Sequence, residues 1–324
     1  MCTWLPFWNL GCVGIMASKP FVKWAGGKIR LLDQLHKRLP PDLQDNGITN
    51  YIEPFVGSGS FFFSIADQYK IDEYIINDKN EILMVTYRVI KENPEALIQK
   101  LAEFEDIYMA LNEKERVQTY YEKRKRFNYI ISRGVNNKNL IEASSLFIFL
   151  NKTCYNGIFR LNANGEFNVP MGYYPRPNIC NKERIINASN ILQSVKIRSK
   201  DFRKFFSSLK QLGPQSFMYV DPPYAIKNGN NGFLGYNDKI FSWEDQKILA
   251  EFLDKFRLNG VNIMMSNARH HDISKLYQNF FQSVIKRKTV IGGIPSSRRT
   301  IREVIITSYP VVKNSDSSGT QRRS

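Results

Sequence analysis

Apolar and polar positions follow two rhythms along this chain, short runs of strand length and longer stretches of helical period. Ile48 to Glu53 reads as a short buried strand that runs into Pro-Phe-Val-Gly-Ser-Gly-Ser. The following stretch, about Ser60 to Tyr69, has the length and pattern of a helix. Glu73 to Asn77 (EYIIN) is a second strand, and it ends at Asp78. Strand, glycine turn, helix, strand and acid, in that order, open a parallel, doubly wound α/β sheet. Upstream, Ile29, Leu32 and Leu35 recur at a spacing of three and predict a helix that Pro40-Pro41 stops.

The pattern then changes. Glu81 to Arg133 is helical and charged, Ser144 to Leu150 is apolar, and Arg176 to Lys200 reads as irregular and polar. Between them Asn164-Gly165 separates two short strand-like runs within Phe159 to Val169, a hairpin signal. Strand grammar resumes at Phe217 to Val220, which runs into Asp-Pro-Pro-Tyr at Asp221 to Tyr224. A glycine- and asparagine-rich loop (Gly229 to Gly235) and an amphipathic helix (Trp243 to Phe256) follow. Val261 to Ser266 and Glu303 to Thr307 complete the strands. The expected organisation is a catalytic sheet domain in two pieces, 16–85 and 205–310, with 86–204 inserted as a mostly helical domain carrying a β-hairpin. The apolar residues 1–15 are expected to form a leader without a catalytic part, and 311–324 a disordered tail.

Charge narrows the partner. The chain carries 46 Lys and Arg against 30 Asp and Glu, a net charge of +16, which favours phosphates or an anionic surface. From Gln282 to Arg302 there is no acidic residue, and further basic clusters lie at Lys123 to Arg126 and at Arg298, Arg299 and Arg302. The alternative for Lys123 to Arg126 is a solvated helix face. No run of about twenty apolar residues exists to span a bilayer. Cys2, Cys12, Cys154 and Cys180 match neither a zinc site nor a redox pair, so no metal and a reduced, cytoplasmic setting are expected.

Four motifs carry chemistry. Asp221-Pro222-Pro223-Tyr224 follows a strand, at the edge where open parallel sheets place their ligands. A carboxylate at Asp221 and the carbonyl of Pro222 are two acceptors for the hydrogens of a planar amine. Such acceptors favour a tetrahedral, positively charged nitrogen. The prolines stiffen the backbone, and Tyr224 offers a ring face for stacking. The plain alternative is a turn after a strand. In the second motif, Glu53 to Ser60, Gly57 and Gly59 permit a tight turn beside Phe55, and Glu53 could face an amino group. A dinucleotide site is the rival there, but Phe62 stands where its third glycine belongs. Asp78 suits the hydroxyls of a ribose, or else caps the next helix. Lys23-Trp24-Ala25-Gly26-Gly27-Lys28 is a turn beside an aromatic and two cations, or a basic surface loop.

Together and in this order, these motifs resemble the Dam family of N6-adenine DNA methyltransferases, including the enzymes of MboI-type and DpnII-type restriction systems. The likeness covers roughly residues 19 to 310, including YNGIFRLNANGEFNVPMG (Tyr155 to Gly172) and SSRRTIREVIITSY (Ser296 to Tyr309). It implies a Rossmann-like S-adenosylmethionine-dependent methyltransferase sheet with an inserted target-recognition domain. It also implies S-adenosylmethionine as methyl donor, with Trp24, Lys28, Asp78 and Asp221 as contacts; Glu53, Phe55, Gly57 and Gly59 complete the candidate cofactor set. Asp221, Pro222 and Tyr224 would act on the adenine. Lys23, Tyr155, Asn156, Ile158 and Arg160 would meet double-stranded DNA, joined by Arg298 and Arg299. GATC is the expected sequence, base flipping the expected mode, and a separately acting restriction nuclease a conceivable companion. The rivals are an amino-methyltransferase on RNA or protein glutamine, and a DNA-binding relative without catalysis.

Overall fold

A computed structural model describes residues 19–43, 45, 47–209, 211–225, 241–290 and 298–311, with 287–290 and 298–301 described by their backbone alone. The expected leader, most of the expected tail and the Gly229 to Gly235 loop lie outside the described residues.

The strands are β1 (Asn50–Glu53), β2 (Glu73–Asn77), β3 (Val195–Arg198), β4 (Ser216–Val220), β5 (Asn262–Ala268), β6 (Phe281–Val290) and β7 (Arg298–Thr307). They form one seven-stranded sheet in the order β3-β2-β1-β4-β5-β7-β6. β1 to β5 run parallel to one another, and β7 is antiparallel to both β5 and β6. The order reverses between β1 and β4, which opens a crevice at their carboxyl ends. This is a mixed α/β, Rossmann-like fold.

Alternation along the strands divides the core into two layers. Tyr51, Phe217, Tyr219, Met264 and Ile305 pack on one face. Ile52, Met218, Val220, Ile263, Met265, Val304 and Ile306 pack on the other. The first face is covered by α1 (Leu32–His36), α2 (Ser60–Ala66) and α3 (Glu81–Glu92), and its core continues into α4 (Pro94–Ala110), α5 (Glu113–Arg133), α6 (Leu140–Thr153) and α7 (Lys182–Leu192). The second face is covered by α8 (Phe202–Ser207), α9 (Trp243–Leu258) and α10 (His271–Leu276). The apolar segment at Ser144 to Leu150 is the interior of α6, where every residue is buried. Phe61, Phe62 and Phe63 are likewise core.

Several expectations need correction. Arg176 to Lys200 is not irregular throughout. It contains α7, capped by Asn181, and β3. Only Ile185, Ala188, Ser189 and Leu192 of α7 are buried, and β3 is an edge strand with exposed Lys196 and Arg198, so the apolar signal of both is thin. β3 pairs with β2 although it falls within 86–204, so the sheet reaches into the stretch expected to be an insertion. Near the N-terminus Ile29 is 53% exposed and Leu31 is buried, because a 3-10 turn (Ile29–Leu31) precedes α1 and shifts the inward face to Leu31 and Leu35. The Asn164-Gly165 hairpin is a single bridge, Leu161 to Phe167, with Gly165 at φ +76°. Its turn is organised by Asn162, whose side-chain oxygen accepts from the backbone N–H of Asn164 and Glu166.

Candidate active site

β1 is short, and residues two apart on it share a face. The Tyr51 hydroxyl therefore reaches forward to donate to Glu53 Oε2. Burial holds the Glu53 carboxyl well above the usual carboxylate range; the Tyr51 hydrogen bond opposes this, while Asp221 and Asp78 add to it. After Glu53 the chain turns through Gly57 (φ +50°) and Gly59 (φ +74°), conformations that L side chains rarely adopt. A Cβ at Gly57 would lie 2.8 Å from Trp24 Cδ1. Gly57→Ala is thus expected to destabilise the fold by about 1–3 kcal/mol, read by denaturant titration, because the alanine must adopt a strained backbone and displace Trp24.

Asp78 stands just beyond β2. Its Oδ2 accepts from Gly57 N at 3.0 Å and its Oδ1 from Asn80 N at 2.9 Å. Burial raises its pKa, against the pull of the backbone N–H of Asn80, Gly57 and Lys79. The cap of α3 is Asn80, whose side chain accepts from Leu83 N. Asp78 therefore braces the glycine turn instead of capping that helix itself. Asn77 ties the same edge together. Its amide donates to the carbonyls of Pro54 and Lys200, both at 3.0 Å, and accepts from Lys200 N.

Beyond β4 the Asp-Pro-Pro-Tyr segment enters a compact charged cluster. Lys28 Nζ lies 2.7 Å from Asp221 Oδ1, although Lys28 is only 5% exposed. Lys28 Nζ also lies 3.9 Å from Glu303 Oε2 and 5.0 Å from the centre of the Tyr224 ring. The Tyr224 hydroxyl donates to Glu303 Oε2 at 2.9 Å and lies 3.5 Å from Asp221 Oδ1. Burial raises the Asp221 pKa, Lys28 opposes that, and Glu303 adds to it. Glu303 comes from β7, where it is opposite Ala268 at the carboxyl end of β5. Sequence reasoning took Glu303 only as the start of a strand. The available signal was a lone acid heading the apolar run Val304-Ile305-Ile306.

A second group gathers around α6. The Asn151 side chain accepts from Lys23 N at 2.9 Å and donates to the carbonyls of Lys23 and Gly157 at 2.9 and 3.0 Å. It thereby fastens the Lys23 to Lys28 loop to the turn Tyr155–Gly157, where Asn156 adopts φ +56°. Trp24 stacks on Phe159, ring centres 5.6 Å apart, so the glycine turn, the N-terminal loop and the hairpin segment meet at one indole. Tyr155 and Ile158 are exposed, as is Arg160, whose Nε donates to Asn168 Oδ1.

The sequence-derived candidates thus fall into two neighbourhoods. Trp24, Lys28, Glu53, Gly57, Asp78, Asp221 and Tyr224 line or brace the carboxyl edge. Gly59 closes the turn into α2, and Pro222 is buried beside Asp221. Phe55 is half-buried and packs on Phe202 and Phe241. Lys23, Tyr155, Asn156, Ile158 and Arg160 form the second neighbourhood. Arg298 and Arg299 lie on a stretch of β7 that pairs only with β6, past the end of β5; their side chains lie outside the described residues. Of the Lys123 to Arg126 cluster, Lys123 is half-buried over the Phe104 ring and Arg126 pairs with Glu142, so both are engaged within the chain. Among the described residues no group of metal-ligating side chains occurs, and no helix is long and apolar enough to cross a membrane.

Comparison with known proteins agrees with this geometry. The sequence profile of the D12 class N6 adenine-specific DNA methyltransferases matches residues 24–291. The chain is similar to the type II methyltransferase M.MjaIII of Methanocaldococcus jannaschii, 38% identical over 91% of this chain and 100% of the relative. It is 32% identical to the type II methyltransferase M1.LlaDCHI of Lactococcus lactis over 90% of this chain and 95% of that protein. The DNA adenine methylase of Escherichia coli is 28% identical over 91% of this chain and 97% of its own length. With the profile spanning both the glycine turn and the Asp-Pro-Pro-Tyr segment, the chain belongs to the D12 class of N6 adenine-specific DNA methyltransferases.

Proposed function

We propose that this adenine-specific methyltransferase uses S-adenosylmethionine to methylate N6 of an adenine turned out of duplex DNA, within GATC. The observation that carries the reading is the buried cluster of Lys28, Asp221, Tyr224 and Glu303 at the crevice where the sheet order reverses.

The residues fit the donor. A bare glycine turn is flanked by three carboxyl groups, Glu53, Asp78 and Asp221, which suit an ammonium, ribose hydroxyls and a sulfonium neighbourhood. Trp24 and Lys28 complete the set of holding residues. When bound, S-adenosylmethionine supplies a methyl group made electrophilic by its positive sulfur. Glu53, kept protonated more readily by burial, would be drawn back to its charged form by an ammonium beside it.

Adenine's amine is a weak nucleophile because its lone pair is shared with the ring. Asp221 and the Pro222 carbonyl would accept its two hydrogens and favour a tetrahedral, positively charged nitrogen. Tyr224 would stack on the base, with its hydroxyl held by Glu303. Asp221 and Glu303 bring two negative charges and Lys28 one positive, a net of one negative charge to meet the charge developing on the amine. Asp221, with its raised proton affinity, would take the proton the amine releases.

Turning the nucleotide out costs a few kcal/mol. Exposed Tyr155 and Ile158 suit the gap left in the stack, and Arg160 can bond a guanine edge with two donors. The β6–β7 ribbon supports phosphate contact, since it carries six basic residues (Lys286, Arg287, Lys288, Arg298, Arg299 and Arg302) and runs past β5 on the crevice side. Sequencing methylated adenines in DNA from cells producing the protein tests the reading. Methylation confined to GATC is expected, and methylation at unrelated sites would remove the GATC assignment. Arg160→Ala is expected to broaden the methylated sequences while changing nonspecific binding less than about three-fold; an unchanged motif would refute its role.

A further inference from the structure

Asn151, near the end of α6, is 3% exposed, and its side-chain oxygen and both amide hydrogens have backbone partners. The oxygen accepts from Lys23 N, and the hydrogens go to the carbonyls of Lys23 and Gly157. Turning the amide over would set its oxygen against two carbonyls, so the network fixes its orientation. Lys23 is thus held by both its N–H and its C=O, as a neighbouring strand would hold it, although it stands in a loop. Asn128 of α5 treats Phe167 alike, donating to its carbonyl at 3.1 Å and accepting from its N–H at 2.9 Å. Asn151 differs in its third bond, which reaches a second segment.

The Lys23 backbone is pinned while the residue as a whole is exposed. Its stem runs over Gly157 (φ +64°), where a Cβ would meet Lys23 Cδ at 2.5 Å and Lys23 Cβ at 2.9 Å. Its Nζ lies 4.9 Å from the centre of the Tyr174 ring, and the Tyr174 hydroxyl accepts from Asn156 N at 3.0 Å. A lysine carries its charge on a flexible four-carbon stem, so it presents that charge in one place only where the stem is guided. Here the amide of Asn151 fixes where the stem starts, bare Gly157 gives it a bed, and Tyr174 receives its end.

We infer that Asn151 is a positioning residue for sequence choice. It fixes Lys23 against the turn Tyr155–Gly157, so that the two segments meet DNA as one rigid unit. The inference rests on the reading that Lys23 and Tyr155 to Arg160 meet the duplex. A contact free to shift re-forms on a wrong base, whereas a fixed one leaves polar groups unpaired there. Buried Asn151 acts through Lys23 and the turn, so its effect falls on discrimination and not on the chemical step.

The test measures kcat and KM of the full chain on a duplex carrying its own methylated sequence and on duplexes with one base pair changed at each position. Lys23→Ala identifies the position that Lys23 reads. At that position Asn151→Asp should lower the ratio of kcat/KM values, cognate over changed, by about ten-fold, because the cognate KM rises. Aspartate keeps the shape and still accepts from Lys23 N, but it sets oxygen against the carbonyls of Lys23 and Gly157. The cognate kcat should stay within about three-fold of wild type. In the Lys23→Ala background, Asn151→Asp should add less than about two-fold at that position. Gly157→Ala leaves Asn151 in place and displaces the Lys23 stem, so it should show the same positional loss. It keeps the inference testable if the buried carboxylate prevents folding.

A ratio unchanged at that position in both variants would overturn the inference. So would a loss spread evenly over all duplexes, which marks a fold defect alone. Losses that multiply in the Lys23→Ala background would show Asn151 acting apart from Lys23 and would also overturn it. A raised KM for S-adenosylmethionine with unchanged sequence choice would overturn it in favour of a cofactor-loop role. Unchanged sequence choice in Lys23→Ala would remove the underlying reading of Lys23, and the inference with it, while leaving the methyl-transfer reading intact.

Discussion

Asp221→Ala is expected to lower the rate of methyl transfer by about 10³-fold or more while duplex binding stays within a few-fold of wild type. The magnitude follows from removing one preorganised charged acceptor from a buried site. The loss should fall on kcat, because the hydrogen bond from the amine strengthens as its nitrogen becomes positive. Asp221→Asn would keep an oxygen acceptor but lose the charge and present an amide donor, so it should recover little. Alanine also leaves Lys28 without its 2.7 Å partner. A fold check by thermal melting therefore accompanies the kinetics. Turnover within ten-fold of wild type in a folded Asp221→Ala protein would end the assigned role.

Glu303→Gln should give the second-largest effect, a fall in kcat of the order of ten- to a hundred-fold with smaller changes in KM. Glutamine preserves the size of the side chain and an acceptor for the Tyr224 hydroxyl, but it removes a negative charge from the cluster. The pH dependence separates charge from packing. Burial raises the Asp221 pKa, Lys28 lowers it, and Glu303 raises it; Tyr224, Tyr219 and Glu53 are the other titratable groups nearby. Activity needs the ionised form, so the rate is present above the Asp221 pKa and is lost as pH falls through it. In the wild type that acid limb should lie above the ordinary aspartate range. In Glu303→Gln it should move to lower pH while the plateau falls. Glu303→Asp, which keeps the charge, should retain the wild-type limb. A reduced rate with an unmoved limb would make Glu303 a packing residue only.

Much of the parallel half of the fold was legible because its strands are buried on both faces and end in chemistry. The run from β1 through the glycine turn to Asp78, and that from β4 into Asp221, combine a short apolar stretch with an immediate polar signature. Their bounds were read to within about two residues. β3 and α7 were missed for the opposite reason. An edge strand of Val-Lys-Ile-Arg and a helix with few inward residues leave almost no hydrophobic period. At the site, Asp78 and Asp221 could be named from local sequence. Glu303 could not, because its meeting with Tyr224 joins residues 79 apart along the chain and depends on the register of β7 against β5. Asn151 was hidden in the same way, since its partners at Lys23 lie 128 residues away. An asparagine ending an apolar helix announces nothing about the loop it holds.

The direction of β7 has a practical corollary for anyone attaching cargo to this enzyme. Thr307 lies opposite Met264 and Ser308 N donates to the Ile263 carbonyl, so the chain leaves the sheet at the starting ends of the parallel strands. A fluorescent protein or affinity handle joined after Val311 sets out from the rim opposite the carboxylates. Carboxyl-terminal fusions should therefore leave the approach of nucleic acid unobstructed.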